Sequence, residues 1–252
     1  LHLVCILKYF LTESENSSIK KLVYGGTKTS IHNAPYMALY FDVKVGFLCG
    51  ATIVHRRFLL SAAHCYKYYI DFSFNGEIGT DRIDGGYRYN VDKIIIHPNF
   101  HPVRLDNDIS VIKLISELTF NNHVAAIRMA PRGIMIKSGA IMTTMGFGET
   151  ENNMDSDNLL RVDVPYVAHH ECKSLVGDIL TRTMICAGGV RGEDACQGDS
   201  GGPLIYEDMI VGIVSFGWKC GEEMPGVYAS VPYANYRPFA YSIELYAVNA
   251  PW

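Results

Sequence analysis

One serine in the chain, Ser200, sits among residues that suit a nucleophile. The segment DACQGDSGGP at 194–203 surrounds its hydroxyl with Gly198, Gly201 and Gly202. Glycines permit the tight backbone that exposes a side-chain oxygen while neighbouring amide N–H groups converge on a substrate oxygen. A serine hydroxyl is a weak nucleophile until an adjacent base takes its proton. Two more segments can supply base and acid: SAAHC at 61–65, which holds His64, and DNDIS at 106–110, which holds Asp108. Imidazole suits a base that must later return the proton, because its unperturbed pKa lies near ~6.5. Taken singly, each segment has a plainer reading. A histidine beside a cysteine is commonly a packed or surface residue, and Asp-Asn-Asp is commonly a turn. Gly-x-Ser-x-Gly also matches the nucleophile elbow of α/β-hydrolases, which order their triad Ser, acid, His. No histidine follows Ser200, since the last in the chain is His170. That order is excluded. His97, His101, His123, His169 and His170 have no motif around them and are expected on the surface or in loops.

The residues that must position this chemistry read as short strands. MALYFDV, GATIV, RFLLSAA, DKIIIH, ISVIKLI, AIMTTMGFG, LRVDVPYV and MIVGIVSFG are β-rich runs, broken by turn signals such as NAP, FNGE, DGG, HPN and APRG. Many short strands so punctuated argue for antiparallel sandwiches or barrels. Regular strand–helix alternation is missing, which weighs against a parallel α/β sheet. The tail differs. In Arg237–Val248, Phe239, Ile243 and Tyr246 fall at near-helical spacing and Pro238 suits a first turn, so a C-terminal helix is expected. At 252 residues, with 48% hydrophobic and 19% charged, the chain can bury a substantial core. A formal charge of -4 gives no electrostatic reason to expect nucleic acid as a partner.

The opening LHLVCILKYFL is apolar for eleven residues and TESENSSIKK follows at once. That is too short for a bilayer, which needs about 20 residues, and suits the apolar region of a signal peptide. Secretion is therefore expected, with no membrane span. Of seven cysteines, Cys5 lies in this leader, leaving Cys49, Cys65, Cys172, Cys186, Cys196 and Cys220. Spacing alone does not choose among their pairings, but none has zinc-site spacing, and disulfides fit an oxidising compartment.

Serine-last triads leave two orders. The subtilisin order needs Asp before His, and Asp42 is formally available, but subtilisin is an α/β fold and this chain reads as β-rich with disulfides. The order His64, Asp108, Ser200 remains. SAAHC, DNDIS and GDSGGP in that order resemble the chymotrypsin/trypsin family of serine proteases, and the resemblance runs from about Leu22 to the C-terminus. It implies an all-β fold: two antiparallel β-barrels, the active site in the cleft between them, and a C-terminal helix. By this resemblance, residues 1–12 are a signal-peptide remnant, 13–21 a propeptide and 22–252 the peptidase domain. Barrel one covers about 22–128, barrel two about 129–235 and the helix about 236–248.

The resemblance also implies roles. His64 is the general base, Asp108 fixes its tautomer, Ser200 attacks, and the amides of Gly198 and Ser200 form the oxyanion hole. Asp194 stands at the base of the primary specificity pocket, Gly217 and Gly226 keep its walls open, and Ser215, Phe216 and Gly217 pair with substrate backbone. A buried carboxylate demands a cation, so cleavage after Arg or Lys is expected. Ala195 stands where a serine hydroxyl often helps solvate Lys, so Arg is expected to be preferred. Phe216 stands where trypsin-like members usually carry Trp, a change that touches subsite preference and not the chemistry.

Lys20-Lys21-Leu22-Val23-Tyr24-Gly25-Gly26 resembles the family's activation site. Cleavage after Lys21 by another trypsin-like protease frees the Leu22 ammonium to insert beside Asp199; cleavage after Leu22, which places Val23 there, is the alternative register. The implied bridges are Cys49–Cys65, Cys172–Cys186 and Cys196–Cys220. Two further bridge positions of vertebrate members are Met142 and Tyr206 here. Gly86 stands at an expected calcium ligand, so no calcium and no cofactor is expected. Polypeptide substrates, protein protease inhibitors and a monomeric state are expected. A digestive role is the first expectation and limited proteolysis of zymogens or toxins the second. A secreted non-catalytic homologue acting as a binding protein is a third reading, but such proteins usually lose a triad residue and none is lost here.

Overall fold

Alternation along the strands decides where the two halves of the molecule meet. The computed structural model describes residues 26–42, 46–66, 74–149, 156–191, 195, 198–218 and 221–232. A short strand, β1 (Thr27–Lys28), precedes six strands that close into a barrel: β2 (Met37–Asp42), β3 (Gly46–His55), β4 (Phe58–Ser61), β5 (Phe74–Ile78), β6 (Tyr87–Ile96) and β7 (Ser110–Leu114). Their order is β2-β3-β4-β7-β6-β5, each pair antiparallel. In β2, Ala38 and Tyr40 join the cluster that fills this barrel. The alternate residues Met37 and Leu39 instead pack with Met145, Phe147 and Leu159 of the second half. Period-two alternation thus gives β2 two apolar faces, one for its own barrel and one for the neighbour.

After β8 (Arg128–Met129), the second ring forms from β9 (Ile141–Gly146), β10 (Leu160–Val167), β11 (Met184–Gly188), β12 (Pro203–Tyr206), β13 (Met209–Phe216) and β14 (Pro225–Ser230). The path β10-β11-β14-β13-β12-β9 closes through a β9–β10 pairing, so this too is a six-stranded antiparallel barrel. β1 pairs with β10, and β8 lies parallel to β13 on the outside. Leu204, Val211, Val214 and Tyr228 fill it. Ile205, Ile210, Ile213 and Ala229 point the other way and join the first barrel's cluster. Each buried isoleucine among them contributes about 1.5–3 kcal/mol, so the barrels are fused by apolar contact. MIVGIVSFG is apolar on both faces for this reason.

The fold is the all-β pair of barrels that the resemblance implies. FNGE, expected as a turn, is instead within β5. Gly76 belongs there because the Tyr89 ring lies across it: a Cβ would meet Tyr89 Oη at 2.2 Å and Leu39 O at 2.3 Å. The Tyr89 hydroxyl donates to that carbonyl at 2.9 Å. His97, expected on the surface or in a loop, lies in the loop after β6 and is buried there, 3% exposed. The expected C-terminal helix at 236–248 lies outside the described residues. Among the described residues the one α-helix is α1 (His169–Val176), which periodicity did not indicate.

Two disulfides, Cys49–Cys65 and Cys172–Cys186, pair as the resemblance implies. The first ties β3 to the turn carrying His64, and the second ties α1 to β11. Cys196 and Cys220 lie outside the described residues. Met142 and Tyr206, where the resemblance implies a further bridge in vertebrate members, belong here to one apolar cluster on the paired strands β9 and β12.

Candidate active site

His64 opens a single 3-10 turn, His64–Tyr66, just after β4, and Ala62, Ala63 and Cys65 around it are buried. Asp108 stands just before β7 and is wholly buried. The chain reaches it through a turn in which Leu105 and Asn107 adopt φ of 53° and 55°. Asparagine tolerates that region, whereas leucine there costs energy that surrounding contacts must supply. Those contacts cross to the second barrel. Asp106 Oδ1 accepts from Thr181 Oγ1 at 2.7 Å and from Thr183 Oγ1, and the Asn107 N–H donates to Thr183 Oγ1 at 3.3 Å.

The turn delivers Asp108 to His64 in a two-point contact. The His64 backbone N–H donates to Oδ1 at 2.8 Å, and ring Nδ1 lies 2.7 Å from Oδ2. With Nδ1 as the donor, Nε2 carries the lone pair and lies 4.0 Å from Cys65 Sγ. The ring is about one-quarter exposed while its partner is sealed. The Ser215 hydroxyl donates to the same Oδ2 at 2.5 Å. Ser215 can do so because β13 shifts register there: Val214 pairs with Tyr228 and Phe216 with Val227, leaving Ser215 as the extra residue of a bulge. Sequence reading gave Ser215 to the substrate backbone and missed this side-chain contact, which no local pattern encodes.

Ser200 is brought to the same place by backbone contacts. Its carbonyl accepts from the Gly50 N–H at 2.8 Å, the Gly50 carbonyl accepts from Ser61 Oγ at 2.8 Å, and Ser61 ends the strand that leads to His64. Gly201, at φ 80°, has no room for a side chain, because a Cβ would lie 2.4 Å from both Gly50 O and Ser61 Oγ. Among the described residues, Ser200 Oγ has no hydrogen-bond partner. The amide N–H groups of Gly198 and Ser200 likewise have no acceptor among them, whereas Gly201 and Gly202 donate to Val214 O and Asp199 O, each at 2.9 Å.

Asp199 is buried, 2% exposed, and its Oδ1 accepts from the Gly148 N–H at 2.9 Å. Gly146 is required beside it, since a Cβ there would come within 2.0 Å of that oxygen. Sequence reading did not single out Gly146 or Gly148; the GFG spacing was the available signal. Asp194, Lys21 and Leu22 lie outside the described residues. Gly217 is exposed, and a Cβ on it would stand 4.0 Å from Gly226 Cα, so the two glycines face each other. Phe216 packs partly against Val227 and Met184, and its ring meets that of Trp218 edge-on at 6.1 Å. Trp218 was not anticipated; it places an indole beside Phe216. A cavity of ≈ 400 Å³ lined by Ile134, Tyr166, His169 and Arg182 contains neither His64, Asp108 nor Ser200. His64 and Asp108 come from the first barrel, and Ser200 from the loop that precedes β12 of the second.

Comparison with known proteins agrees with this geometry. The family model described as Trypsin matches residues 23–239. Trypsin-1 of Astacus astacus is 38% identical over 230 residues, covering 84% of this chain and 96% of that protein. Trypsin of Sus scrofa is 37% identical over 215 residues, covering 83% and 90%. Trypsin of Simulium vittatum is 34% identical over 228 residues, covering 84% and 90%. With the fold, the order of the motifs and these relatives in agreement, the chain belongs to the trypsin family of serine proteases and is a serine endopeptidase acting on polypeptides.

Proposed function

We propose that this endopeptidase cleaves after Arg and Lys, Arg being preferred, through a triad of His64, Asp108 and Ser200. The observation that carries this reading is the two-point seat of His64 on buried Asp108, with the Ser200 loop docked on the same strands. Ser200 Oγ attacks the scissile carbonyl carbon as Nε2 of His64 takes the hydroxyl proton. The positive ring is stabilised by Asp108, whose Oδ2 also accepts from Ser215. The carbonyl oxygen, now an anion, meets the N–H groups of Gly198 and Ser200, each such donor lowering the barrier by about 3–4 kcal/mol. His64 then gives its proton to the leaving amine, and the C–N bond breaks to leave an acyl group on Ser200. Water, deprotonated by His64, repeats the addition and releases the acid.

Ser215 and Phe216 end β13 and Gly217 follows, so an extended substrate adds there as a strand, and Phe216 with Trp218 offers an aromatic surface to its side chains. Asp194 takes the cationic side chain between Gly217 and Gly226. Without a hydroxyl at Ala195, a guanidinium that reaches the carboxylate directly is favoured over an ammonium.

The protein is made with a leader at 1–12 and a propeptide at 13–21, secreted, and activated at Lys21–Leu22 by a trypsin-like protease. The new Leu22 ammonium pairs with Asp199, already buried at the loop that holds Ser200. The peptidase domain is 22–252, with barrels at about 22–128 and 129–235 and a helix at about 236–248. The enzyme works extracellularly as a monomer restrained by protein inhibitors, in digestion rather than limited proteolysis.

Hydrolysis of matched Arg, Lys and Phe amides before and after brief trypsin treatment tests the reading. Activity on Arg above Lys, appearing only after treatment and lost in Ser200→Ala, is the expected result. No turnover in a correctly processed chain overturns it, and equal rates on Lys overturn the Arg preference. N-terminal sequencing should return Leu22; a mature chain beginning at Val23, where the family match opens, overturns the chosen bond.

A further inference from the structure

Two histidines far apart in the sequence, His32 and His123, meet ring to ring. Their Nε2 atoms are 3.1 Å apart and their ring centroids 4.3 Å, with the planes inclined at 49°. His32 is exposed and His123 half-buried. Each imidazole stands on backbone that its own ring does not hold. His32 occupies the single 3-10 turn Ile31–Asn33, where the Ser30 hydroxyl accepts the His32 N–H at 3.4 Å and buried Ile31 anchors the turn. His123 occupies a turn closed by paired hydrogen bonds between Asn121 and Val124. Asn121 Oδ1 accepts the N–H groups of His123 at 2.7 Å and Val124 at 3.1 Å, and Val124 is buried. The Ala125 N–H donates to Pro35 O at 2.9 Å, fastening one segment to the other. The two rings are therefore presented together by the fold.

Imidazole nitrogens bind zinc at about 2.0–2.1 Å. Two of them on one ion, subtending roughly 90–110°, must then stand about 2.9–3.4 Å apart. The observed 3.1 Å lies inside that window. A hydrogen bond between the rings fits the same distance, with one Nε2 donating and the other accepting; an ion replaces that proton and takes both lone pairs. We propose that His32 and His123 form a surface site for a divalent transition-metal ion of the zinc class, with water completing its coordination. It is separate from the one cluster of three potential ligands among the described residues, Cys49, His64 and Cys65, whose sulfurs are tied in a disulfide. A bound ion staples the segment leading into β2 to the linker between the barrels. Because only the folded chain brings the two rings together, the ion stabilises it by mass action.

Titration of zinc chloride into the full chain, followed by calorimetry and thermal melting, tests this. One ion per chain and a rise in Tm of about 5 °C at excess zinc are expected. Copper(II) should bind more tightly than zinc. His32→Ala and His123→Ala should each weaken binding at least about tenfold, by removing half the protein ligands, and leave metal-free peptidase activity unchanged. A flat titration and unshifted melting at millimolar zinc overturn the proposal. So does binding that survives both substitutions, or that disappears only in His64→Ala, which would assign the ion to the active-site imidazole.

Discussion

On the first barrel the site is held by side chains. Asp108 takes the His64 ring and backbone N–H together with the Ser215 hydroxyl, and the Ser61 and Ser110 hydroxyls cap carbonyls of the same stretch. Around Ser200, on the second barrel, backbone does the holding. Gly201 and Gly202 donate to Val214 and Asp199, Ser200 accepts from Gly50, and glycine stands at each close approach. Polar side chains can be altered without moving the chain that carries them. A backbone packed to contact accepts no added methyl. Chemistry and stability are therefore separable on the His64 side and coupled on the Ser200 side.

The largest expected effect on that contrast is Asp108→Asn. It should lower kcat by about 10⁴-fold, the scale for an imidazole left in the wrong tautomer, while the melting temperature stays within a few degrees. A large loss of stability would show that the side-chain half is not separable after all. Gly201→Ala should cost about 10²–10³ in kcat by displacing an oxyanion donor, and should also destabilise by about 3 kcal/mol or more, through forced φ and overlap. Near-native activity together with near-native melting would remove the coupling argument. Ser215→Ala deletes one of the three donors to Asp108 and should lower kcat about tenfold with KM little changed. An effect confined to KM would return Ser215 to the substrate alone.

Asp106→Ala tests the bond between the halves. Leaving the Thr181 and Thr183 hydroxyls without their shared acceptor should cost about 1–3 kcal/mol of stability and only a few-fold in kcat, and Asp106→Asn should restore most of it. The smallest effect concerns His97. Burial lowers its pKa, partly countered by the nearby Asp106 carboxylate, and its Nδ1 accepts from the Asn99 N–H at 3.2 Å. The unfolded chain then binds the proton more readily, so this contribution to stability is full above pH ~6.5 and is lost as pH falls below it toward the folded value. Urea midpoints at pH 7.5 and 5 should differ less in His97→Gln than in the parent; an equal difference would assign the acid sensitivity elsewhere.

How much of this was legible differs by element. β2, β3, β4, β6, β7, β9, β10 and β13 were visible, in whole or in part, as apolar or alternating runs. β11, β12 and β14 were not, because MICAG, PLIY and PGVYAS are short and carry Gly, Pro or Cys, whose strand conformation comes from neighbours. β5 was misread because Asn-Gly signals a turn locally, while Tyr89 needs the missing side chain. α1 went unseen: eight residues hold too few periodic positions to distinguish a helix from a loop.

The sequence by itself determined the residue types the chemistry needs, their order along the chain and the tight Gly-rich loop around Ser200, because these are covalent and local facts. It also carried the two-barrel fold class, through strand runs and motifs that resemble one family. Only the tertiary structure decided that Ser215 turns to Asp108 through a bulge and that Asp106 grips Thr181 and Thr183. The meeting of His32 with His123 was decided there as well. Each of these joins residues 75 or more positions apart, at 107, 75 and 91 residues of separation for Ser215–Asp108, Asp106–Thr181 and His32–His123. No local pattern carries such contacts, because they exist only once the chain has closed its barrels and packed distant segments together.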